Sequence, residues 1–63
     1  MNIETATREE LKEYATYLMA ELGKELTPEE VGYAGMSWAD YKALRKYQIE
    51  RLVAVNNRLL RMG

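Results

Sequence analysis

Hydrophobic positions recur with the period of an α-helix in two long stretches of this chain. Between residues 8 and 22 they fall on one face at about 100° per residue. The residues on this face are Leu11, Tyr14, Ala15, Leu18, Met19 and Leu22. Most of the glutamates lie on the opposite face, and Gly23 follows as a natural stop. The pattern predicts an amphipathic surface helix over residues 8–22.

The second long stretch, from residue 38 to about residue 62, contains neither Pro nor Gly and is rich in good helix formers. Its apolar residues cover about half of the helix circumference. They are Trp38, Tyr41, Leu44, Ile49, Leu52, Val53, Val55, Leu59 and Leu60. One short helix cannot cover an arc this wide, so we expect a middle helix, a second copy or a partner to cover the rest.

Three capping sequences mark where helices begin, each with Ser or Thr followed three residues later by an acidic residue. They are Thr7 with Glu10, Thr27 with Glu30, and Ser37 with Asp40. The second of them starts a short helix over residues 28–34, which Gly32 weakens and Gly35 ends. The predicted fold is all-α: one small three-helix domain over residues 1–63. Helix 1 and the first half of the long C-terminal helix 3 form an antiparallel hairpin.

Composition excludes most enzymatic chemistry. The 63 residues include no His and no Cys, so the commonest general base, the commonest metal ligand and the thiolate nucleophile are missing. Neither a phosphate loop nor a dinucleotide-binding motif is present. We expect a protein that is not an enzyme and has no cofactor and no metal site.

The N-terminal residues lack the basic and apolar regions of a secretory signal. No apolar run approaches the about 20 residues that cross a bilayer. These features predict no membrane association and a cytoplasmic location, in the host cytoplasm if the protein is viral.

Charge divides unevenly between the two halves of the chain. Residues 1–30 hold eight acidic and three basic side chains, whereas residues 31–63 hold two acidic and six basic ones. We favour an interpretation in which the two halves pack together and partly neutralise each other, over one in which the basic half serves an anionic partner. Arg45 fits the first interpretation, with its stem on apolar surface and its head beside a helix 1 glutamate.

One polar residue, Asn56, falls inside the apolar arc of the long helix. Ile49, Leu52, Asn56 and Leu59 follow the a-d-a-d spacing of a heptad, in which one Asn sets register and oligomeric state. The alternative is a hydrogen bond from Asn56 within the monomer. We predict a protein-binding module that regulates a larger macromolecule or self-assembles as a homodimer. The predicted interaction residues on this helix are Ile49, Leu52, Val53, Asn56, Leu59 and Leu60.

Tyrosine is unusually frequent. The chain has five Tyr and one Trp but no Phe, and Tyr and Trp are enriched at protein interfaces because they combine an apolar ring with a polar tip. Tyr17 and Tyr47 point away from the predicted core. We therefore add both to the predicted interaction residues.

Residues 31–44 resemble the core of a helix-turn-helix motif, with Gly35 in the turn and Ser37 capping the next helix. The resemblance implies a small DNA-binding regulator as the alternative function. Two features depart from the motif: Gly32 lies in its first helix, and Asp40 would lie near phosphates at the front of its recognition helix. The nucleic-acid contacts under this alternative are Lys42, Arg45 and Lys46.

The segments 7–11 and 37–41 are also similar to the two helix starts of small phage head-to-tail joining proteins. That family carries a β-hairpin between its helices. Here the corresponding stretch contains Pro28, Gly32 and Gly35 and shows no alternating strand pattern. We do not assign the chain to that family, and a phage origin stays a hypothesis.

Overall fold

The computed structural model describes residues 1–62 and contains three α-helices in that range. They are α1 (Arg8–Leu22), α2 (Pro28–Tyr33) and α3 (Trp38–Met62). The predicted all-α class and the predicted order of two long helices around a short one are confirmed. The short helix ends one residue earlier than predicted, because Ala34 serves as its C-cap and Gly35 takes a left-handed backbone (φ 80°) that turns the chain toward α3.

Each helix begins at the capping residue that the sequence indicates. The Thr7 hydroxyl accepts a hydrogen bond from the Glu10 N–H at 3.1 Å, and the Glu10 carboxylate accepts one from the Thr7 N–H at 2.8 Å. Thr27 and Glu30 form the same reciprocal pair at 3.2 and 3.1 Å. Ser37 caps α3 by accepting from the Asp40 N–H at 3.1 Å. Local sequence therefore determines where all three helices start.

The first of these caps makes folding stability depend on pH. The backbone N–H of Thr7, with a smaller contribution from its hydroxyl, lowers the pKa of Glu10. A lowered pKa in the folded state contributes stability that is present above the unfolded-state pKa and is lost as pH falls through the folded-state value. We expect the urea midpoint of the wild type to fall more between about pH 6 and about pH 3 than that of Glu10→Gln, which keeps the capping geometry without the charge. Parallel pH profiles of the two proteins would contradict this role for Glu10.

The helices α1 and α3 pack antiparallel, but not in the predicted register. Arg45 reaches the carbonyl of Leu22 at the end of α1, whereas Arg51 reaches the hydroxyl of Tyr14 in the middle of α1. Consequently α1 lies beside the middle and second half of α3, and not beside its first half as predicted. The first half of α3 lies beside the α1–α2 connection, where the Tyr41 hydroxyl bonds to Lys24 and Leu26, and α3 also packs with α2. The molecule is elongated, with extents of 42 × 16 × 15 Å.

The main hydrophobic cluster joins α1, the N-terminal residues and the second half of α3. Its buried members are Ile3, Ala6, Leu11, Ala15 and Val55. Three further residues, one on each helix, are buried outside this cluster, namely Leu18, Val31 and Tyr41. Met19, which we expected on the buried face of α1, is 55% exposed because it lies at the edge of that face.

Residues 1–6 form a turn that no periodic pattern in the sequence predicts. The turn is closed by the Ala6 N–H, which donates to the Asn2 carbonyl at 3.0 Å. Arg51 donates to the Met1 carbonyl at 3.0 Å, and Arg58 donates to the Glu4 carbonyl at 3.3 Å. The N-terminal turn thus packs along the second half of α3 and covers part of its apolar arc.

Candidate functional site

An apolar stripe on α3 remains uncovered in the monomer. Ile49, Val53 and Leu60 are 50%, 53% and 80% exposed, and Asn56 between them is exposed as well. Successive members lie four, three and four residues apart, which places all four on one helix face. We call these four residues the α3 stripe.

The structure separates the six interaction residues predicted on α3. Leu52 and Leu59 are half-buried and pack against the core around Val55, whereas the other four form the α3 stripe. The heptad assignment changes accordingly. The exposed seam has Ile49 and Asn56 at d positions and Val53 and Leu60 at a positions, because a spacing of four leads from d to a.

Asn56 has no hydrogen-bond partner within residues 1–62, so the alternative of an intramonomer bond is not realised there. Its side chain is exposed and faces the same direction as the apolar members of the stripe. A polar amide in the middle of an apolar stripe can accept and donate across an interface, which would restrict how a partner aligns with it.

The three predicted nucleic-acid contacts have different environments. Lys42 and Lys46 are exposed on the same face as the α3 stripe, about two turns and one turn before Ile49, respectively. The Arg45 side chain, in contrast, is hydrogen-bonded within the monomer. Its guanidinium donates to the carbonyls of Leu22 at 3.0 Å and Lys24 at 3.2 Å. The structure therefore brings only the two lysines together as free cations.

The predicted pairing of Arg45 with a helix 1 glutamate is wrong, because Arg45 binds the carbonyl of Leu22 at the end of α1. The last carbonyls of a helix lack intrahelical partners and carry a partial negative charge, so a guanidinium can satisfy them directly. No basic residue lies in the last turn of α1 itself. Arg45 supplies that charge from α3.

Tyr41 completes this contact. Its hydroxyl donates to the Lys24 carbonyl at 3.1 Å and accepts from the Leu26 N–H at 3.1 Å and from Arg45 at 3.3 Å. We call the pair the Tyr41–Arg45 clamp, since it ties the α1–α2 connection to α3. The sequence shows the i, i+4 spacing of this pair but not the carbonyls that the pair binds.

The two predicted contact tyrosines lie on another side of the molecule. Tyr17 stacks on Tyr14 with ring centroids 6.4 Å apart. The Arg51 guanidinium lies 5.5 Å from the Tyr14 ring centroid. The Tyr14 hydroxyl is the main cause that raises the pKa of Arg51, and nearby Tyr47 adds to the effect. Tyr17 and Tyr47 are 55% and 56% exposed, and Tyr47 points about 200° away from Ile49 around α3.

Within residues 1–62, one ion pair joins the acidic half of the chain to the basic half, but it does not join α1 to α3. The described residues form two ion pairs, Lys24 with Glu21 at 3.4 Å and Arg61 with Glu4 at 3.2 Å, and neither joins α1 to α3. Glu9, Glu10 and Glu13 on the outer face of α1 remain exposed. The arginines of α3 bond mainly to backbone carbonyls and to Tyr hydroxyls, so carbonyl dipoles take the place of carboxylates between the two helices.

Within residues 1–62, no three acidic side chains come close enough together to hold a metal ion. In the same range, no helix combines the length and the hydropathy needed to span a bilayer. Comparison of the chain with protein-family models, curated proteins and solved structures finds no match.

Proposed function

We propose that this protein is a small protein-binding module that associates with a second copy of itself through the α3 stripe. The observation that carries the proposal is the exposure of Ile49, Val53 and Leu60 on one face of the longest helix, at the spacing of a helix–helix seam. Leu52 and Leu59 border this seam from the core side, so a second helix lying on the stripe would contact them as well.

The expected affinity follows from the area available. Complete burial of an aliphatic side chain contributes about 1.5–3 kcal/mol. The exposed fractions of the three apolar stripe residues, counted on both copies, give about 5–10 kcal/mol on that scale. Association itself costs about 4–15 kcal/mol. A surplus remains only at the favourable end of both ranges, where about 4–6 kcal/mol of net free energy corresponds to a dissociation constant between about 1 mM and about 40 µM.

The small size of the chain favours association for a second reason. A domain of about 60 residues buries only about 60% of the surface that its unfolded chain exposes, and its stability is correspondingly small. Binding of a second folded copy stabilises the folded state by mass action. No observation favours the DNA-binding alternative in the same way, because Arg45 is engaged and two lysines neutralise few phosphates.

Sedimentation equilibrium tests the proposal. We expect the wild type to pass from monomer to dimer as its concentration rises to about 1 mM. Val53→Asp should weaken the dimer by at least about tenfold, because an unpaired carboxylate would enter an apolar seam. Val53 is 53% exposed, so the variant should keep its helical circular dichroism.

Tyr47→Asp is the matched control. Tyr47 is similarly exposed at 56% and lies on the opposite side of α3, so the same charge there should leave the dimer intact. A wild type that stays monomeric throughout this range would exclude self-association. Equal weakening by both variants would exclude the α3 stripe as its surface.

A further inference from the structure

We infer that the two copies of α3 lie antiparallel, with Ile49 of one copy opposite Val53 of the other and Lys46 opposite Asn56. The inference rests on the proposed self-association and adds the direction and register of the partner helix. It follows from how charged, apolar and amide side chains are ordered along one face of α3.

The seam extends beyond the α3 stripe toward the start of the helix. Lys46 and Lys42 continue the spacing of three and four residues that relates Ile49, Val53, Asn56 and Leu60, and both lysines are exposed. From residue 42 to residue 60, the face therefore runs from two cations through two aliphatic residues to an amide and a leucine. This order is asymmetric, so the two possible directions of a second helix are not equivalent.

A parallel partner would place every residue opposite its own copy. Lys42 would then face Lys42, and Lys46 would face Lys46, so two pairs of like charges would meet at adjacent positions of the seam. Like charges opposite each other destabilise a helix pair, and they leave no acceptor for either ammonium group. Contact would be confined to the segment 49–60, about 17 Å of helix.

An antiparallel partner removes both like-charge pairs. With Ile49 opposite Val53, each Lys46 lies opposite Asn56 of the partner copy, whose amide oxygen can accept a hydrogen bond from the ammonium group. Lys42 then lies opposite Leu60 at the end of the seam, where its aliphatic stem can cover the leucine while its charge stays in water. Aliphatic residues meet aliphatic residues in the centre.

This register also lengthens the contact. The paired segment runs from residue 42 to residue 60 on both copies, about 27 Å of helix. Stable dimers commonly bury about 800 Å² on each partner, a substantial share of the 4665 Å² surface of this monomer. The longer overlap brings more of that surface into the interface than a parallel seam over residues 49–60 can.

Disulfide trapping between single-cysteine variants tests direction and register. The chain has no Cys, so Lys42→Cys and Leu60→Cys would each carry one thiol. Both positions are exposed, so we expect both variants to fold like the wild type. The two variants are mixed at equal concentration, oxidised gently and analysed by intact mass, which distinguishes the mixed disulfide from each homodisulfide.

We expect the mixed Lys42→Cys/Leu60→Cys disulfide to form at least about tenfold faster than either homodisulfide. A disulfide requires Cα atoms within about 7 Å, and in this register both homopairs would be separated by about 27 Å along the helix. Tyr47→Cys mixed with Leu60→Cys is the control, because Tyr47 points away from the seam. This control mixture should form its mixed disulfide no faster than two unrelated thiols do.

Three results would overturn the inference. Rapid homodisulfide formation by Lys42→Cys, without the mixed product, would show a parallel dimer while the proposed self-association stands. Faster trapping of Ile49→Cys with Leu60→Cys than of the Lys42/Leu60 pair would show a shifted register. If every mixture forms disulfides at the control rate and the wild type also sediments as a monomer, both the proposed function and this inference are wrong.

Discussion

Leu11→Ala is expected to lose about 2–5 kcal/mol of the free energy of unfolding. Leu11 is fully buried, and its side chain lies in the part of the core that joins α1, the N-terminal turn and the second half of α3. The cavity would therefore loosen three segments at once. Domains of this size have a total stability of about 3–9 kcal/mol, so we expect the variant to be largely unfolded at 37 °C.

Urea unfolding followed by far-ultraviolet circular dichroism measures this loss. Met19→Ala is the matched control, since it also shortens an apolar side chain of α1 but at a position that is 55% exposed. The control should lose less than about 1 kcal/mol. Comparable losses in the two variants would show that Leu11 does not hold the three segments together.

Tyr41→Phe is expected to lose about 1–3 kcal/mol, because it leaves partly buried hydrogen-bonding groups without their partner. The substitution keeps the ring, which lies 5.4 Å from the Trp38 ring between centroids. It removes the hydroxyl that binds the Lys24 carbonyl and the Leu26 N–H. For a domain of about 60 residues, each kcal/mol lowers the melting temperature by about 4–8 °C.

Two further variants separate the Tyr41–Arg45 clamp from a general effect of losing a hydroxyl. Tyr33→Phe is the control for the loss of a tyrosine hydroxyl. Tyr33 is 91% exposed, so the melting temperature of this variant should equal that of the wild type. Arg45→Met combined with Tyr41→Phe completes a double-mutant cycle. We expect a coupling of at least about 0.5 kcal/mol, because the hydroxyl accepts from the guanidinium. Additive losses would show that the two side chains act independently.

The sequence by itself determined the helices. Capping residues act on amides three positions away, and apolar periodicity is read within a few turns, so Thr7, Thr27 and Ser37 marked starts that the structure confirms. Gly35 marked the corner between α2 and α3 for an equally local reason, its left-handed backbone. The wide apolar arc of α3 also indicated that helix 1 alone could not cover it, and the α3 stripe is a part of the arc that the monomer leaves exposed.

Only the tertiary structure decided what covers the remaining arc. Residues 1–6 are too few to show a period, so nothing local indicated that Ile3 and Ala6 would enter the core. Because Ile3 and Ala6 are buried against the second half of α3, Leu52 and Leu59 pack against the core of the monomer. The exposed seam therefore lies at the α3 stripe. The partners of Arg45 were equally hidden, because the carbonyl of Leu22 lies 23 residues away in sequence. Charge counts suggest carboxylate partners for arginines, but the register in which two helices pack decides whether a guanidinium meets a carboxylate or the end of a helix.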